Sequence, residues 1–120
     1  MMKANRGDVI LLDHRFSDAT GSKIRPALVI QSDKRNAILT ETIVALITKN
    51  TTHVAKDPTQ LLIDVATADG KASGLKLNSA VKCGKLFTVH EHHIRKKIGK
   101  LPALVMLRIN DCLKAALELP

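Results

Sequence analysis

A chain of 120 residues, 45% of them apolar, is long enough for one domain (1–120) with a hydrophobic core that needs no disulfide or metal staple. Its 19 Lys and Arg against 11 Asp and Glu give a net charge of +8, which favours a polyanionic partner. Phe16 and Phe87 are its aromatic residues, with no Tyr or Trp, so a platform that stacks bases on aromatic rings is excluded and nucleic-acid binding has to rest on charge and hydrogen bonds.

Arg6-Gly7-Asp8 is a turn, and the apolar run Val9–Asp13 reads as a buried strand. His14–Lys23 (HRFSDATGSK) is a polar loop carrying His14, Arg15, Asp18 and Lys23. Gly21–Asp33 (GSKIRPALVIQSD) follows, the most informative stretch of the chain. Arg25 stands at the mouth of the strand Ile24–Gln31, and Pro26 fixes its own φ and biases Arg25 towards extended backbone. A guanidinium on so stiff a mount is suited to holding a phosphate. Ser32 or Asp33 is positioned to cap a short helical turn. Thr42–Thr48 (TIVALIT) is the next strand, Lys49–Thr59 a surface loop, Leu61–Val65 a short strand and Ala66–Asn78 a loop turning at Ser73-Gly74-Leu75.

Ser79–Val89 alternates as a strand does, and Gly84 inside it marks a bulge or a close backbone approach. His90–Arg95 is a solvated turn; its HEHH run lacks the HExxH spacing of a helical zinc site, because the residue four on from His90 is Ile94. Lys96–Leu101 is a short basic strand, with Arg95, Lys96, Lys97 and Lys100 on the surface. Pro102–Leu117 is the one long helix, with Pro102 in its first turn and Val105, Ile109, Cys112, Leu113 and Ala116 on one face. Cys83 and Cys112 are expected as buried free thiols, since no CxxC pair or disulfide framework is present. There is no secretion signal and no apolar run of about 18 residues, which points to a soluble cytoplasmic protein. Short strands, one small internal helix and a C-terminal helix make a mainly β (α+β) fold: a strongly bent sheet or partly open barrel closed by a helix.

Four blocks in this order resemble the MazF/PemK family of type II toxin–antitoxin endoribonucleases. They are RGDVILLD at Arg6–Asp13, GSKIRPALVIQSD at Gly21–Asp33, TIVALIT at Thr42–Thr48, and SGLKLNSAVKCGKLFTV at Ser73–Val89 followed by KKIGKL at Lys96–Leu101. The resemblance implies an SH3-like β-barrel, a homodimer, and cleavage of single-stranded messenger RNA without metal or other cofactor. It also implies a cognate antitoxin with an acidic tail, and no membrane association. Arg25 and Thr48 match the family's catalytic Arg and its catalytic Thr or Ser.

Cleavage of this kind needs a base for the ribose 2′-OH, an acid for the leaving 5′ oxygen and donors for the phosphorane charge. Arg25 and Thr48 suit the last role. Lys23, Lys82, Lys85, His14 and Asp18 are the candidate RNA-binding residues, and His14 and Asp18 are also the candidates for the general base. One departure stands out. Where the family commonly reads D-Q-x-R-T, this chain has Gly84-Lys85-Leu86-Phe87-Thr88, so the carboxylate of that wall is missing. The alternative reading is therefore a non-catalytic nucleic-acid- or antitoxin-binding module on the same barrel, either a degenerate toxin or a gyrase-poison type.

Overall fold

The computed structural model describes residues 2–14 and 23–120, with the side chain of His14 outside the description. The strands are β1 (Asp8–His14), β2 (Lys23–Val29), β3 (Glu41–Thr48), β4 (Gln60–Ile63), β5 (Ser79–His90) and β6 (Ile94–Lys100). Together they form one antiparallel sheet in the order β4-β5-β3-β2-β1-β6. The sheet is open, with β4 and β6 at its edges, and the expected mainly β fold closed by a C-terminal helix is what the chain adopts.

The strands are apolar on both faces because both faces are covered. Val9, Leu28, Ala45, Ile47, Val81 and Cys83 pack with Val105, Met106, Ile109 and Cys112 of the C-terminal helix α3 (Ala103–Leu117). Their chain neighbours Ile10, Ala27, Val29 and Val44 face the other way and pack with Ala4, Val89 and Ile94. This two-sided burial explains why VILLD and TIVALIT read as continuous apolar runs rather than alternating ones.

β5 is bent by a bulge at the expected glycine. Ala45 pairs with Leu86 but Leu46 pairs with Lys82, so Cys83, Gly84 and Lys85 are extra to the ladder. The displaced Cys83 N–H donates to the Thr59 carbonyl at 2.9 Å instead.

Two short helices, not one, interrupt the strands. In α1 (Asp33–Ile38) the cap is Ser32, whose hydroxyl accepts from the Arg35 N–H at 3.3 Å. Asp33 accepts the Arg6 N–H at 2.7 Å, and this bond first of all holds its carboxyl below the usual range. α2 (Ala68–Ala72) lies inside the expected loop Ala66–Asn78; Thr67 caps it by accepting from the Gly70 N–H at 3.0 Å. Five residues carry no helical period, so the cap was its only signal. Pro102 is the N-cap of α3 rather than part of its first turn, with ψ 158.

The basic strand β6 is tied down by carboxylates. The buried Asp8 accepts the Asn5 N–H at 2.9 Å through Oδ2, while Lys97 Nζ lies 2.9 Å from Oδ1 as an ion pair off the hydrogen-bonding direction. Arg95 pairs with Asp13 at 2.9 Å. The expected solvated turn after β5 is a single 3₁₀ turn, Glu91–His93, and Glu91 is not solvated: it is buried and accepts the Ala4 N–H at 2.8 Å, which docks the N-terminal segment. His90 Nδ1 accepts the His92 N–H at 3.1 Å. Among the described residues no group of three or more His, Cys, Asp or Glu is arranged to hold a metal ion, and no helix is long and apolar enough to cross a membrane.

Gly74, with φ +74, connects α2 to the segment that follows it. A Cβ there would lie 1.9 Å from the Ile98 carbonyl oxygen, so an alanine would meet both left-handed strain and a backbone clash. Gly74→Ala is expected to lower Tm by roughly 8 °C or more in thermal unfolding followed by circular dichroism; an unchanged Tm would contradict this packing.

Both cysteines are free and buried, as expected. Burial first, then the neighbouring Cys112, pushes the Cys83 thiol up to about 12. At pH 8 an alkylating reagent should label native Cys83 on the order of 1000-fold more slowly than the unfolded chain. Equal rates in the two states would show that the thiol is not enclosed.

Candidate functional site: a cationic cavity where two strands part

The β1–β2 ladder runs on to His14–Lys23, but the β2–β3 ladder stops at Ala27–Leu46. Pro26, the next residue of β2, has no N–H to give to a neighbour. Two residues beyond the last pair, in the same register, Arg25 stands level with Thr48. The row extends across the sheet: Leu12 pairs with Arg25, and Thr48 with Ala80.

In the gap left by the ladder is a cavity of about 510 Å³. β2 lines it with Lys23, Arg25 and Pro26, β3 with Ile47 and Thr48, and the chain just beyond with Lys49. The segment after α2 crosses over it, adding Leu75, Lys76 and Leu77, and Ser79 closes the far side. Four cations thus converge on one space whose described lining holds no carboxylate. Elsewhere on the molecule Asp8, Asp13 and Glu91 engage the lysines and arginines near them. The cavity gathers four of the 19 Lys and Arg.

The hydroxyl of Thr48 is oriented by the turn that follows it. Thr48 Oγ1 accepts the Asn50 N–H at 3.1 Å. One lone pair is thereby used, and the hydroxyl proton remains for another acceptor. An anion held here would lie among Arg25, Thr48 and the three lysines of the described lining.

Of the residues singled out from the sequence, Lys23, Arg25 and Thr48 are brought together. Lys82 and Lys85 do not line this cavity. Lys82 is half-buried on β5 between Leu46 and Gln60, and its charge helps to hold Asp57 below the usual carboxylate range, after the bonds that Thr59 donates. Lys85 is exposed and is one of the three inserted residues of the bulge. Asp18 and the His14 side chain lie outside the described residues. At Gly84 an added Cβ would meet only Thr59 Oγ1 at 3.9 Å, so the absent carboxylate of that wall is not excluded by space. Sequence reasoning missed Lys49, Lys76 and Ser79. Lys49 was readable, being next to Thr48; Lys76 was not, because only the packing of Gly74 against β6 brings its segment over the cavity.

The family described as PemK-like, MazF-like toxin of type II toxin–antitoxin system matches residues 5–117. Endoribonuclease EndoA of Bacillus subtilis (strain 168) is 32% identical over 121 residues, covering 98% of this chain and 97% of that protein. Endoribonuclease MazF6 of Mycobacterium tuberculosis (strain ATCC 25618 / H37Rv) is 28% identical over 103 residues, 86% of each. Among solved structures, the Mycobacterium tuberculosis toxin MazF-mt6 superimposes with a TM-score of 0.75 at 22% identity, covering 94% of this chain and 98% of that one. An endoribonuclease in complex with its cognate antitoxin, from a Mycobacterial species, does so with a TM-score of 0.76 at 20% identity, covering 98% and 97%.

Proposed function

The chain belongs to the PemK-like, MazF-like toxins of type II toxin–antitoxin systems, and from the cavity we propose that it is an endoribonuclease that cuts single-stranded RNA. The observation that carries this reading is the convergence of Arg25, the Thr48 hydroxyl, Lys23, Lys49 and Lys76 on one space with no carboxylate in its described lining. The relatives bearing the name endoribonuclease support it.

The reaction is an in-line displacement within the substrate. The ribose 2′-OH attacks the adjacent phosphorus, the P–O5′ bond breaks, and the products are a 2′,3′-cyclic phosphate and a 5′-hydroxyl. Arg25 holds two phosphoryl oxygens bidentately and stays charged throughout. Thr48 donates to the oxygen on which the phosphorane charge develops. Because Asn50 already orients it, little reorganisation is needed when that charge appears. The lysines draw the polyanion in and neutralise the flanking phosphates. No base-stacking ring is among the described lining residues, so binding there is electrostatic in the main.

An antitoxin with an acidic tail fits the same cavity, since a carboxylate-rich segment competes for the cations that hold RNA. A homodimer agrees with the apolar residues that α3 leaves outside: Leu104 is 77% and Leu107 59% exposed. Messenger RNA as substrate places the toxin in the cytoplasm.

Purified protein with a long single-stranded RNA in excess EDTA should yield fragments ending in 2′,3′-cyclic phosphate. Arg25→Ala is expected to lower the single-turnover rate about 100- to 1000-fold, with Thr48→Ala in the same range and Thr48→Ser much milder. Intact RNA together with tight antitoxin binding would instead favour a non-catalytic module.

RNA affinity should fall steeply with salt, by roughly 0.7 in log K per phosphate contact for each tenfold rise. Lys76→Ala should flatten that slope by about 0.7, whereas Lys34→Ala, on α1 outside the lining, should leave it unchanged. A slope indifferent to Lys76 would remove that residue from the groove.

A further inference from the structure

Three histidines crowd the turn that follows β5, and RNA cleavage uses none of them. His90 ends β5, while His92 and His93 belong to the 3₁₀ turn Glu91–His93. The ring centroids of His90 and His92 are 4.4 Å apart, and those of His92 and His93 4.1 Å. His92 is exposed, so the rings meet at the surface rather than in the core.

The turn decides which nitrogens converge. His90 caps it with extended backbone, and its Nδ1 accepts the His92 N–H at 3.1 Å. The His92 ring folds back to the same point, with its Nδ1 2.6 Å from His90 Nδ1. His90 Nδ1 therefore presents its lone pair, and the one proton between the rings sits on His92 Nδ1. Glu91 takes no part: it is buried, and its carboxylate is engaged by the Ala4 N–H and by Lys3. Glu41, by contrast, is exposed and stands opposite His90 in the β3–β5 ladder.

We propose that His90 and His92 chelate a divalent transition-metal ion of the zinc, nickel and copper class through their two Nδ1 atoms. The ion replaces the proton between the rings, and His92 then carries its proton on Nε2. Metal–nitrogen bonds of about 2.0–2.1 Å place two ligands about 2.9–3.4 Å apart, so the rings have to part by less than about 1 Å. Imidazole suits these ions, whereas magnesium prefers oxygen. No third protein ligand is in reach among the described residues, so water completes the coordination and Glu41 contributes only a neighbouring negative charge. The ion closes a ring across Glu91 and thereby fixes the turn that docks the N-terminal segment. Glu41 opens β3 and Thr48 ends it, which puts the ion at the opposite end of that strand from the cationic cavity.

The test strips the full chain with EDTA, removes the chelator and titrates the protein by calorimetry at neutral pH with zinc, nickel and copper chlorides. Saturable binding is expected, tightest for copper, with none for magnesium chloride. His90→Gln and His92→Gln should each weaken it about tenfold or more, while His53→Gln, in the loop before β4, should leave it unchanged. Zinc should shift the nitrogen-15 resonances of Nδ1 in both His90 and His92, and should raise Tm in the unsubstituted protein but not in His92→Gln. Circular dichroism checks folding; if loss of the cap unfolds His90→Gln, the exposed His92→Gln decides. No saturable binding by the unsubstituted protein would overturn the site. So would undiminished affinity in His92→Gln, or zinc shifts confined to other nitrogens.

Discussion

β2 keeps its pairing with β1 to the end of both strands but leaves β3 after Ala27–Leu46. That one departure creates the space between Arg25 and Thr48. Were the ladder continued, the two residues would sit in a closed row of the sheet with no room for a phosphate between the strands. Pro26 stands where pairing stops, without an N–H, and its ring also stiffens the backbone that carries Arg25. The feature that opens the cavity is therefore the same one that holds the cation at its edge.

Charge is partitioned as strictly as the hydrogen bonds. The net +8 would by itself mean only a generally attractive surface for polyanions. Carboxylates on β1 and at the 3₁₀ turn engage Lys97, Arg95 and Lys3, while the described lining of the cavity has none. A field concentrated in a concave, partly apolar space acts more strongly on a bound anion than the same charges spread over a convex surface.

The β5 side of the sheet is organised by the bulge of that strand. Three inserted residues let one strand pair with β3 along both of its halves while bending between them. The bend exposes Gly84 and Lys85 and moves them out of the cavity lining. Departures from the family pattern at these positions therefore fall outside the described lining of the cavity that holds Arg25 and Thr48.

Much of this was legible in the chain. The strands announced themselves as apolar runs bounded by turn residues, the glycine in β5 announced its bulge, and Arg25-Pro26 and the terminal Thr48 announced two sides of the site, because each signal is carried by residues adjacent in sequence. Legibility failed where a structure depends on distant partners. α2 is too short to show a period. Glu91 looked like part of a solvated histidine turn until the Ala4 N–H gave it a buried partner. Lys82 and Lys85 were candidates because they sit close in sequence to a motif; neither belongs to the described lining of this cavity. The sequence by itself determined the strands and the long helix, the excess of positive charge and the choice of Arg25 and Thr48 as candidates. Only the tertiary structure decided that they line one cavity and that Lys76 joins them, since both depend on where β2 leaves β3 and on the close contact of Gly74 with Ile98, between residues far apart in the chain.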